Sequence, residues 1–156
     1  MKRSRALPTI ALASLIAGIL DITSAFVIAG IKGMRSIRML QGIASGLLGQ
    51  RSFEGGMATA GLGIAIHFLI AFTAAAAFYA GSRKLSSLTQ HAVVSGLLYG
   101  IAVYIFIYWA VVPLAFPTAR HSMSRDVTAA IIHIFLIGLP IALVVRHFSN
   151  EKLAES

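Results

Sequence analysis

The sequence contains no cysteine, which excludes disulfides, thiolate metal sites and nucleophilic thiols together. Charge is nearly as scarce. Only 12% of residues are Asp, Glu, Lys or Arg, against roughly 25% in a soluble globular domain. Such a chain cannot cover a surface with water-compatible groups. Acidic residues are rarest, five against thirteen Lys and Arg. Serine-nucleophile motifs, paired carboxylates and glycine-rich phosphate loops are also missing, so nothing marks an enzyme.

The formal charge of +8 raises nucleic acid as a partner. The basic residues, however, are dispersed in short stretches between apolar blocks, with no stripe of interleaved aromatics. A membrane protein keeps its topology signals and its headgroup contacts there. The expected partner is the lipid bilayer, and no nucleic acid.

Apolar residues make up 58% of the chain and mean hydropathy is +0.86. The apolar residues gather in four blocks, at about 6–31, 57–80, 92–116 and 127–145. Each is near the roughly 20 residues that cross a bilayer as a helix, and Asp21 is the one charged residue among them. Transmembrane strands would alternate in polarity over about ten residues, a pattern that is absent. The fold expected is all-α and integral to the membrane, a four-transmembrane-helix bundle forming one domain over 1–156. The opening Met1-Lys2-Arg3-Ser4-Arg5 resembles the start of a secretory signal. The apolar run behind it outlasts the roughly 7–15 residues of a signal core, so the first helix is expected to be retained.

The longest connection, 32–56, has its own pattern. Ile37, Leu40, Ile43, Ala44, Leu47 and Leu48 recur at helical spacing, with Arg38, Gln41 and Ser45 on the opposite side. This predicts an interfacial amphipathic helix at about 37–48, capped by Ser36 and stopped by Gly49. The alternative is a helix that plugs one end of the bundle.

Orientation rests on basic residues. With the N-terminus inside, Lys2, Arg3, Arg5, Arg83, Lys84, Arg146 and Lys152 lie inside, and Lys32, Arg35, Arg38, Arg51, Arg120 and Arg125 outside. The cluster before the first helix decides the near-tie and places both termini in the cytoplasm of a bacterial-type inner membrane.

Asp21 is the most informative residue. A carboxylate inside a spanning helix costs roughly 2.5–3.5 kcal/mol on insertion scales, so it must face the bundle and find a partner. Ser14, Ala17, Gly18, Ser24, Ala25 and Ala29 share its face and permit close helix approach. Counting 1.5 Å per residue from each helix end puts Asp21, His67, Tyr108 and His133 at a similar depth, about 9–15 Å in. They are expected to form one intramembrane polar cluster. Gly63 shares the His67 face, and Gly96 and Gly100 share that of Tyr104 and Tyr108. With Gly18 these are the predicted packing glycines. Pro140 should loosen the fourth helix beyond His133. His91, His121 and His147 read as solvated interface residues.

Three readings of the cluster compete. It could lock the helices as a hydrogen-bonded layer, handle protons or ions through its Asp and His, or ligate a metal or haem through His67 and His133.

The second half also resembles the YagU-like family of small bacterial inner-membrane proteins. The resemblance is carried by His67-Phe68-Leu69-Ile70-Ala71-Phe72, Gly96-Leu97-Leu98-Tyr99-Gly100, Val112-Pro113-Leu114, and His133 followed by Arg146. The loops here are shorter and cysteine is absent. The resemblance implies a multi-helix membrane protein and supplies no mechanism. The leading expectation is therefore a non-enzymatic accessory or structural membrane protein without a cofactor, acting through a homo-oligomer or a partner membrane protein. Proton or ion handling and haem or metal binding are the alternatives.

Overall fold

A computed structural model of the chain describes residues 6–118 and 120–154. Lys2, Arg3 and Arg5, on which the expected orientation rests, lie outside the described residues, as does the side chain of Lys152. The described residues form helices and no strands. In chain order these are α1 (Ala6–Ile31), α2 (Ser36–Leu48), α3 (Gly56–Lys84), the single turn α4 (Ser87–Gln90), α5 (Ala92–Ala115) and α6 (Met123–Ser149). Four of them, α1, α3, α5 and α6, are long and apolar enough to cross a membrane. Long runs free of charge favour helices, because a helix satisfies its own backbone hydrogen bonds wherever water cannot. Pro8 falls in the first turn of α1, where its missing N–H breaks nothing.

Two helices outrun the apolar blocks that predicted them. The block at 57–80 becomes Gly56–Lys84, and that at 127–145 becomes Met123–Ser149, with helix continuing to Ala154. Hydropathy stops at charged residues, but the backbone does not. Arg83 and Lys84 suit the negative end of α3, and Asp126 suits the positive end of α6. Ser122 adds a cap there, its Oγ accepting from the Arg125 N–H at 3.4 Å.

Neither α5 nor α6 is uniform. Ile107–Val111 and His133–Gly138 are wound as π-helix. Each lies just before a proline, Pro113 or Pro140. A proline inside a helix has no N–H to donate, and its ring crowds the carbonyl four residues back. Those carbonyls belong to Trp109 and Leu136, both within the widened turns.

The inner pair of the bundle is α1 and α6, with α3 packed on α1 and α5 on α6. Small residues set this closeness. Ala13, Ala17, Ala75, Ala142, Ile141 and Val145 are buried in one core with Phe78. Gly100 backs onto the main chain of α6, where an added Cβ would lie 2.5 Å from the His133 carbonyl and the Ile134 Cα. Gly138 meets Gly96 and Gly100 in return, backbone against backbone. Across the bundle, Tyr99 donates its hydroxyl to the Ala74 carbonyl at 2.6 Å and packs edge-on against Phe78, joining α5 to α3.

The helix expected between the first two spans is α2, but two details differ. Ser36 is its first residue and Arg35 the cap, which makes no side-chain bond. Gln41 does not join Arg38 on an outer polar side, since it is buried with Leu40 and Ala44. Its amide donates to the Gly56 carbonyl at 3.1 Å. Ser52, fully buried, donates to the Gln41 carbonyl at 2.6 Å, and the Thr59 hydroxyl donates to the Ser52 carbonyl at 2.6 Å. Hydrogen bonding reverses what polarity suggested. Gly63 leaves room for the Leu40 carbonyl, so α2 lies tight against α3. Gly46 faces Ala115 and Phe116 at the end of α5. Leu47 and Leu48, counted on the apolar stripe, are exposed.

Candidate functional site

On α1 the row of small residues brings α3 close. Gly18 packs against the Phe68 ring and Ala71, and the next residues inward are Asp21 and His67. His67 Nε2 lies 2.9 Å from the Gly18 carbonyl oxygen. A carbonyl can only accept, so Nε2 carries the proton. In the neutral ring the other nitrogen, Nδ1, then holds a lone pair, and it faces Asp21 Oδ2 at 3.8 Å. The separation exceeds a direct hydrogen bond and is one that a single water can bridge.

The other two predicted residues sit on the π-turns. His133 opens that of α6 and is buried, with Nδ1 2.8 Å from the Ala129 carbonyl. Its ring meets Tyr108 edge-on at 5.7 Å and Tyr104 at 6.1 Å, while Tyr104 and Tyr108 lie 5.0 Å apart. Four predicted residues thus form two couples, Asp21 with His67 and Tyr108 with His133. Tyr104 belongs beside the second couple, as its spacing of four from both Gly100 and Tyr108 implied.

The predicted packing glycines take different partners. Gly18 serves α3, Gly63 serves α2, and Gly96 and Gly100 serve α6. Gly138 is their missed counterpart. As for metals, no group of three or more His, Asp or Glu able to hold an ion occurs among the described residues. His67 and His133 each engage one ring nitrogen with a backbone carbonyl, leaving one nitrogen apiece.

A second polar group lies where α5 ends and α6 begins. His121 is no free loop residue. It stacks on Trp109 at 4.5 Å with 20° between the planes, and its Nδ1 lies 3.2 Å from Asp126 Oδ2. Arg125 Nε is 3.9 Å from the other carboxylate oxygen of Asp126. The signal was in the sequence. The sole tryptophan stands at the end of an apolar block, and a His and an Asp five residues apart flank the start of the next.

No protein-family model matches the chain, and neither a curated protein nor a solved structure does.

Proposed function

We propose that the chain is a small multi-pass protein of a bacterial-type inner membrane, without enzymatic activity. It would serve as an accessory or structural subunit, through a second copy or a partner membrane protein. The observation that carries this reading is the placement of polarity. Leu69, Leu98, Ile105, Phe106 and Ile131 point outward from the long helices, each more than half exposed, while His67 and His133 bond to backbone inside. Lipid can cover the former, and the latter hold helices together. In this reading both termini are cytoplasmic and α2 lies at the outer interface against the bundle. The resemblance to YagU-like proteins favours the same compartment.

The test is purification in mild detergent, with metal analysis, a visible spectrum and thermal unfolding. His67→Ala, His133→Ala and Asp21→Asn should each lower the melting temperature, with no chromophore and no stoichiometric metal in any form. A Soret band or a bound metal that disappears with either histidine would overturn the reading in favour of a ligand carrier.

A second reading has its own observation, the approach of an Asp21 carboxylate oxygen to His67 Nδ1 at 3.8 Å. A proton-handling protein would use that pair. In liposomes, a pH-dependent proton flux abolished by Asp21→Asn, with folding intact, would separate it from a packing role.

A further inference from the structure

We propose that the cleft between the end of α5 and the start of α6 binds the phosphate-bearing headgroup of an anionic membrane lipid. It is a cavity of about 220 Å³. Val112, Pro113 and Phe116 form its apolar wall, and Tyr108, Arg120, His121 and Arg125 its polar side.

Charge selects the sign of the ligand. Two guanidinium groups meet one nearby carboxylate, Asp126, which is shared with His121. The arginines thus leave the cleft net positive. Arg120 is exposed and has no ion-pair partner among the described residues. Guanidinium forks bind phosphate oxygens in pairs, and the Tyr108 hydroxyl is a further donor on the same wall.

Size and wall chemistry select the kind of anion. Clefts that enclose a drug-sized molecule run to about 300–1,000 Å³, so this one accommodates a headgroup and leaves the rest outside. The remainder must then lie along Val112, Pro113 and the exposed Leu114, which suits an acyl chain and not water. A free phosphate would use the cations and leave that wall idle. The inference rests on the proposed membrane placement of the bundle.

Trp109 makes the test direct. It is the only tryptophan in the chain, and it stacks on His121, which itself lines the cavity. The full-length protein is reconstituted into phosphatidylcholine nanodiscs containing brominated phosphatidylglycerol or, at equal mole fraction, brominated phosphatidylcholine, and fluorescence quenching is measured. Stronger quenching by the anionic lipid is expected. Arg120→Gln and Arg125→Gln should each lower the preference by about fivefold. Arg51→Gln should preserve it, because Arg51 lies by α2 and not on the cavity. Equal quenching by the two lipids overturns the proposal, as does a preference that survives loss of both arginines. Reversal by millimolar inorganic phosphate overturns it as well, in favour of a small-anion site. Absence of quenching by either lipid would instead remove the membrane placement itself.

Discussion

Asp21 Oδ2 and His67 Nδ1 face each other at 3.8 Å across the contact between α1 and α3, while the opposite nitrogen of the same ring is bonded to the Gly18 carbonyl. One imidazole on α3 thus faces a carboxyl and a backbone oxygen of α1 that stand three positions apart along the helix. Its removal should be costly. His67→Ala removes the bond to Gly18 and the contact with Asp21, and should destabilise the protein by about 1–3 kcal/mol, with about 0.6 as the floor typical of one hydrogen bond in lipid. Thermal unfolding in detergent measures it, and a melting temperature equal to wild type would dissolve the link.

The interlock of α5 and α6 can be tested by adding one methyl group. Gly100→Ala places a Cβ 2.5 Å from backbone atoms of His133 and Ile134, which cannot rotate away. Overpacking of this kind costs about 1–3 kcal/mol. Gly61→Ala is the control, since nothing lies within 4 Å of its Cβ. It should be neutral or gain up to about 1 kcal/mol in helix propensity. Equal effects would mean that the helices pack elsewhere.

Ser52 holds α2 down. Its hydroxyl is fully buried on the Gln41 carbonyl, and Ser52→Ala removes that bond at a cost of about 0.5–1.5 kcal/mol. Hydrogen exchange should speed up in α2 and the turn at Gly49–Phe53 while α6 is unchanged. Uniform acceleration across the bundle would show that α2 does not loosen independently.

The long helices were readable because hydropathy is a block property and survives small errors of phase. Asp21 and His67 were readable through depth alone, which alternation of helix direction converts into a common level. Three features were not. Gln41 went to the wrong side because polarity was read as exposure, whereas a buried amide bonded to Gly56 loses nothing by burial. His121 looked solvated because its partners, Trp109 and Asp126, lie on two different helices, and only the closing of that hairpin brings them together. The π-turns were invisible because a proline announces a disturbance without saying whether the helix bends, breaks or widens.

The absence of native cysteine gives a clean topology experiment. Ser86→Cys and Gln50→Cys stand at opposite ends of the bundle and are exposed. In intact cells the proposed orientation makes Gln50→Cys reactive to a membrane-impermeant maleimide and Ser86→Cys protected until the cells are opened. The opposite pattern would invert the protein in its membrane.

Ala129, His133, Ile137, Ile141 and Val145 are all buried and stand four residues apart along α6. In an unbroken helix of 3.6 residues per turn, such a row precesses by about 40° at every step and winds off its own interface. The wider turn at His133–Gly138 takes up part of that drift, straightening the row so that one line of contacts runs from the polar level into the apolar core. The π-turn therefore acts as a phase setter. With ordinary α-helical turns in its place, His133 would stand about 80° out of line with Ile141, with no change in the hydropathy of the helix. The alignment of histidine and core in this chain is a matter of residue count, held in place by one extra position before a proline.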